Sequence, residues 1–215
     1  MNKTIAYLLL VAAAVAWADP PATIPLPNPD TKGGMPLMQA LSARRSDREF
    51  SDRRLSIETL ASLLWAADGV NRPDGRRTAP SAMNWQTVAI YAVLPDAAYL
   101  YNAKERRLEL VASGDLRAAT GLQAFVAQAP LDLVYVSDYA RMPGTTDSDK
   151  MLFAGAETGF IGQNVYLYCA SEGLSTVIRA MINRDALAKA LKLRPEQKIT
   201  LSQTVGYPKH GGVAK

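Results

Sequence analysis

The stretch Arg44-Arg45-Ser46-Asp47-Arg48-Glu49-Phe50 places three guanidinium groups and one hydroxyl within five positions. Two kinds of chemistry fit it. A helix dipole favours cations at a helix C-terminus, which accounts for Arg44 and Arg45 without any ligand. Ser46 and Arg48 fall beyond the expected helix end, where the chain turns. There, forked guanidinium donors and a hydroxyl match the several oxygens of a phosphate. Downstream, Arg77-Thr78-Ala79-Pro80-Ser81-Ala82-Met83-Asn84-Trp85-Gln86 forms a second polar stretch, which by itself reads as a turn before a helix. No glycine-rich phosphate loop is present. Gly155-Ala156-Glu157-Thr158-Gly159-Phe160-Ile161-Gly162 lies within a helical pattern and lacks the spacing of a dinucleotide fingerprint. A bound phosphate would therefore be held by arginine side chains.

The rest of the chain narrows the chemistry further. His210 is the single histidine and Cys169 the single cysteine. That leaves no histidine cluster for a metal, makes a Ser-His-Asp triad implausible, and rules out an internal disulfide. Apolar residues make up 48% and charged residues 20%, as in an ordinary globular protein. The net charge of +4 is too small and too scattered to argue for nucleic acid.

The elements that must carry these residues can be read from periodicity. Residues 1–18 show a basic Lys3, an apolar run and an Ala16-Trp17-Ala18 cleavage pattern, the features of an export signal. Residues 19–34 are proline-rich and read as an extended arm, solvated or draped over a partner. Met35, Met38 and Leu41 begin a helix that ends near Arg44 and Arg45. Ser56 caps a second helix that Gly69 closes. Strands are expected at Val88 to Leu94, Tyr99 to Tyr101, Leu108 to Val111, Leu131 to Val136 and Ile199 to Val205, with a hairpin tip at Asn102 to Arg106. Asp115 is expected to cap a helix through Phe125. Asp149 to Glu172 is the longest helical segment, and its Gly155, Gly159 and Gly162 point to close approach of another helix, since glycine weakens a helix. Ser175 to Ile182 is β-rich, and a short helix follows Asn183. Residues 35–215 are expected to form a single domain, an α+β fold with helices flanking one mixed or antiparallel sheet.

The arginine stretch, the Pro80-Ser81-Ala82-Met83-Asn84 motif, and the segments Leu55 to Asn71, Gly121 to Asp138, Gly159 to Val177 and Ile199 to Gly211 together resemble the nitroreductase family of FMN flavoproteins. The resemblance is greatest to its thiazoline/thiazole oxidase-like, azole-forming branch. It implies an intertwined homodimer with FMN at two interface sites. Arg44, Arg45 and Ser46 would then face the FMN phosphate, and Arg48 the ribityl chain and pyrimidine edge. Pro80, Ser81, Ala82 and Asn84 would approach from the opposite subunit, and Gln123 would bond the ring or ribityl. Ile178, Arg179, Ala180 and Met181 would follow one flavin edge with backbone donors, and Lys209 would lie near the phosphate. Where relatives often show glycine or Pro-x-Glu-Gly, this chain has Ile178-Arg179-Ala180-Met181. Arg179 is thus expected to point outward or to bind an anionic substrate.

The resemblance also implies two-step hydride transfer through FMN to or from a small organic substrate, with NAD(P)H or another compound as donor. No protein acid or base is needed for that chemistry, in keeping with the scarcity of histidine. The rival reading is a non-catalytic periplasmic relative that holds FMN or another phosphorylated ligand without turnover. Export to the periplasm makes a direct prediction: mass spectrometry of the exported protein will find Asp19 at its N-terminus, and a chain retained from Met1 would overturn it.

Overall fold

The computed structural model describes residues 19–209; the expected export signal and His210 lie outside them. Seven strands form one sheet, and every ladder in it is antiparallel. In chain order the elements are β1 (Thr23–Pro25), α1 (Leu37–Ala43), α2 (Ile57–Asp68), β2 (Val88–Val93), β3 (Ala97–Asn102), β4 (Arg107–Ser113), β5 (Leu131–Asp138), α3 (Asp147–Glu172), β6 (Ser175–Arg179), α4 (Arg184–Ala190) and β7 (Gln197–Gly206). The order across the sheet is β1-β4-β3-β2-β5-β7-β6. The fold is α+β, as the sequence implies. No helix among the described residues is long and apolar enough to cross a membrane.

Local signals account for most boundaries. The Ser56 hydroxyl accepts from Thr59 N–H at 3.1 Å and starts α2. Thr146 does the same for α3, and Gly173, at φ 68°, ends it in the left-handed conformation that glycine tolerates. β5 is buried on both faces, so its alternation divides the core. Leu131, Leu133 and Tyr135 meet the layer of α2 and α3, whereas Val134 and Val136 meet the side chains of α4. Each such buried leucine contributes roughly 1.5–3 kcal/mol. Part of the proline-rich arm packs on its own chain: Thr23–Pro25 pairs with β4, and the Asp30 amide bonds Ser62 on α2. Just after the arm, the Met35 amide bonds Ser171 on α3.

Two expectations are corrected. Gly162 does not receive another helix: a Cβ there would stand 2.6 Å from the Ile178 Cδ1 of β6, so this glycine lets α3 sit close on the sheet. Gly155 and Gly159 face open space in the chain. Nor does a helix run from Asp115 to Phe125. Two 3-10 turns, Arg117–Thr120 and Ala124–Ala127, replace it, separated by an extended Gly121.

The break at Gly121 has a physical cause. The Arg179 guanidinium lies directly over Gly121, where a Cβ would come within 1.9 Å of Nη1. Arg179 is 5% exposed and donates to Asp132 at 2.8 Å and to the Thr120 carbonyl at 3.0 Å. It stands over the Phe125 ring. Asp132 is wholly buried, and its pKa is pushed up to about 7 by burial, against the pull of Arg179 and the Thr204 hydroxyl. The folded chain thus holds this proton more tightly than the unfolded one. Asp132's contribution to stability is complete below pH about 3.8 and is lost as pH rises through about 7.

Removing one partner of such a pair leaves a buried charge uncompensated. Above pH about 7, where Asp132 is ionised, Asp132→Asn should lower unfolding free energy by about 3–5 kcal/mol in urea titration. An Asp132→Leu/Arg179→Met double variant should regain most of that loss and show a flatter stability profile between pH 4 and 7. A double variant no more stable than Asp132→Asn would refute the account.

Candidate functional site

The expected site residues fall into two groups at different places along α3. The first forms around Tyr166, which is 8% exposed. Its hydroxyl lies 2.8 Å from Ser46 Oγ and accepts from Ile178 N–H at 3.0 Å. The Arg44 guanidinium stacks over its ring at 5.3 Å. One phenol therefore joins the arginine stretch to the outer edge of β6. The neighbouring Asp47 amide donates to the Thr176 carbonyl at 2.9 Å, and the Asp47 carboxylate accepts from Ser175 Oγ. These bonds hold residues 44–48 along the sheet edge in an extended path. Arg45 makes only a long contact to Asp47 at 3.9 Å, and the exposed Arg48 forms no ion pair among the described residues.

Three further expected residues join this group. Leu122 N–H donates to the Met181 carbonyl at 3.0 Å, which brings Gln123 beside the end of β6. The Gln123 Oε1 atom is buried and has no hydrogen-bond partner among the described residues. Phe50 bridges Pro208, and Lys209 N–H donates to the Glu49 carbonyl, so the exposed Lys209 lies next to Arg48. Phe50 itself is core, 5% exposed and packed on Phe125. A cavity of about 210 Å³ opens here, with Arg45, Asp47, Tyr166 and Pro208 among its walls.

Arg179 departs from expectation. Its side chain points neither outward nor toward a substrate, because the ion pair with Asp132 occupies it inside the molecule. Only its backbone remains beside Ile178, Ala180 and Met181. The Ile178 amide is already donated to Tyr166, so it is the chain beyond β6, from Ala180, that continues this edge.

The second group is the loop of Pro80, Ser81, Ala82 and Asn84, and it is shaped from below by Glu157. One oxygen of this 3%-exposed carboxylate accepts from Ser81 Oγ at 2.8 Å and Ala82 N–H at 3.2 Å. The other accepts from Thr87 N–H at 3.2 Å and Thr87 Oγ1 at 2.7 Å. The Ser81 hydroxyl also accepts from Gln86 N–H at 2.7 Å. Between these anchors, Met83, Asn84 and Gln86 have φ of 51°, 56° and 50°. Left-handed conformations in residues other than glycine are uncommon and cluster at functional sites. Arg77 bonds Gln86 Oε1 at 3.0 Å and pairs with buried Asp68, whose carboxyl is raised to about 7 chiefly by burial.

The chain does not bring the two groups together. Glu157 and Tyr166 are nine residues apart on α3, roughly 13 Å along its axis and at opposite flanks of its buried face, given about 100° per residue. Sequence reasoning missed Tyr166, Glu157 and Asp132, because a lone polar residue in an apolar element carries no local signal of its long-range partner. Among the described residues, no cluster of His, Cys, Asp or Glu could hold a metal ion.

Comparison with known proteins places this architecture. The Nitroreductase family model matches residues 41–207. A nitroreductase homologue of Methanocaldococcus jannaschii is 30% identical over 168 residues, covering 74% of this chain and 85% of that protein. The crystal structure of a nitroreductase homologue from Ralstonia eutropha superposes with a TM-score of 0.84 at 43% identity, over 87% of this chain and 90% of the other. The E. coli microcin synthetase McbBCD complex, solved with truncated pro-MccB17 bound, shares the fold at a TM-score of 0.66 and 23% identity, over 74% of this chain and 66% of the other. With the family model matched from residue 41 to residue 207 and a structural relative at 43% identity, the chain belongs to the nitroreductase family.

Proposed function

We propose that this chain is an exported FMN-dependent oxidoreductase that works as a homodimer, passing hydride to or from a small organic substrate. The observation that carries this reading is the first group of residues. Exposed cations at Arg45, Arg48 and Lys209, with Arg44 behind them, flank the end of β6 and a buried amide oxygen with no partner among the described residues. A ligand with a phosphate at one end and a planar, hydrogen-bonding heterocycle at the other suits that arrangement, so the residues fit FMN.

In this reading Arg44, Arg45 and Lys209 neutralise the phosphate. Ser46, oriented by Tyr166, adds a hydroxyl. Arg48 places positive charge toward the ribityl chain and the pyrimidine edge. Gln123 bonds the ring or ribityl, and the backbone of Ile178, Arg179, Ala180 and Met181 borders the ring. When bound, FMN supplies the two-electron hydride chemistry that the side chains alone lack. Pro80, Ser81, Ala82 and Asn84 approach from the opposite subunit, which accounts for a loop held in a strained shape so far from the arginines of its own chain.

A stripe on α3 supports the dimer. Leu152, Gly155, Ala156, Gly159 and Phe160 recur on one exposed face, with Leu152 66% and Phe160 46% exposed. Small residues flanked by large apolar ones let a second helix approach closely, and burial of such a stripe is favourable. Export sets the compartment to the periplasm, where the electron donor need not be NAD(P)H.

The mature protein should purify yellow with a flavin absorbance band and elute as a dimer. Anaerobic NADH or NADPH should bleach the band if a nicotinamide is the donor. A flavin-bound protein that no donor reduces would favour carriage without turnover. Colourless protein that fails to bind added FMN would overturn the flavin reading. Arg44→Ala should raise the Kd for FMN about tenfold, the equivalent of ~1.4 kcal/mol of lost phosphate contact, with its far-UV circular dichroism unchanged.

A further inference from the structure

We infer that Glu157 is a positioning residue: its carboxylate holds the 81–87 loop in the form that the opposite subunit's ligand meets. This rests on the flavin reading for its functional consequence, but the geometry stands without it. All four donors of Glu157 come from the two ends of one loop. Ser81 Oγ and Ala82 N–H bind one oxygen, and Thr87 N–H and Oγ1 bind the other. A carboxylate buried to 3% exposure is stable only when its acceptor sites are filled. The carboxylate needs the loop ends, and the loop ends converge on the carboxylate.

Between those ends lie the left-handed Met83, Asn84 and Gln86. Strained backbone of this kind persists only where its surroundings over-determine it. Three other groups contribute. Gln86 N–H is tied to Ser81 Oγ, the Gln86 side chain is held by Arg77, and Arg141 donates to the Gln86 carbonyl. Ser81 links these bonds to Glu157, since the oxygen that receives Gln86 N–H is the one that donates to the carboxylate. Trp85 leaves the loop to pack edge-on against Phe153, one turn before Glu157 on the same helix. The indole therefore reports on the loop without any ligand.

An amide at 157 keeps the size of the side chain but turns one acceptor into a donor facing donors. Among the described residues, no other hydrogen bond or ion pair retains Glu157 in place. The loop should relax toward right-handed or extended backbone, and Pro80, Ala82 and Asn84 should lose their fixed presentation.

The test uses the full mature protein in a Trp65→Phe background, leaving Trp85 as its tryptophan. In flavin-free protein with native far-UV circular dichroism at 20 °C, Glu157→Gln should raise acrylamide quenching of Trp85 about twofold or more. It should also raise the Kd for added FMN about tenfold. Arg44→Ala should raise that Kd while leaving Trp85 quenching at the wild-type value, which separates loop positioning from loss of the phosphate contact. A purely structural role would lower the melting temperature of Glu157→Gln but leave quenching and FMN affinity unchanged in the folded protein, and that result would overturn the inference. Should Glu157→Gln fail to fold, Thr87→Val removes one donor at constant shape and should move both readouts in the same direction by a smaller factor; no movement would again overturn it. Failure of the wild-type protein to bind FMN would sink the flavin reading alone, because Trp85 quenching still decides whether Glu157 shapes the loop.

Discussion

Polar groups carried into the layer between a helix and a sheet must find partners there, and this requirement fixes the course of the loops in this protein. α3 brings two such groups inward, the Glu157 carboxylate and the Tyr166 hydroxyl, each almost fully buried. The first gathers a loop and the start of β2. The second gathers the segment after α1 and the edge of β6. Both gathered segments lack regular structure of their own, and an isolated loop of either sequence would have many conformations available. The helix supplies rigidity and the buried partners supply direction. Gly162 completes the arrangement by letting α3 lie close enough to the sheet for both groups to reach.

Much of this was legible in the sequence where the signal is local. Ser56 and Gly69 bound α2, the Asn102 to Arg106 tip joins β3 to β4, and the apolar alternation of β5 marks a strand buried on both faces. The family motifs were legible too, and so was the α+β class. What could not be read depended on partners far along the chain. Thr87 and Glu157 are 70 positions apart, and Arg179 and Asp132 are 47 apart. From the sequence, Arg179 looked like a cation near a ligand edge, because nothing nearby announced its counter-charge. The expected helix from Asp115 failed for the same reason: Gly121 is extended to make room for a guanidinium from a strand nearly sixty residues later. Local propensity was overruled by a tertiary contact, the usual cause of such differences.

The two groups of residues differ in how firmly they are held, and the difference suits the proposed division of labour. The 81–87 loop is anchored at both ends and strained between them, so it offers a fixed shape. The arginine segment is fixed by its backbone while Arg45 and Arg48 remain exposed and unconstrained. Charged side chains that adapt are suited to a phosphate, whose recognition tolerates several geometries. A fixed loop is suited to a planar ring, which does not.

The extended path of residues 44–48 has a consequence of another kind. β6 is a terminal strand of the sheet, and terminal strands expose a ladder of unpaired amides and carbonyls that can recruit a strand from another molecule. Here Asp47 covers the Thr176 carbonyl and Tyr166 covers the Ile178 amide. Neither cover is itself a strand that could be extended further. At the opposite margin, β1 is three residues long and carries Pro25, which cannot donate. The segment that bears the arginines of the proposed FMN site thus also covers a margin of the sheet that could misassemble: loosening residues 44–48 would leave that margin sticky as well as weaken the proposed site.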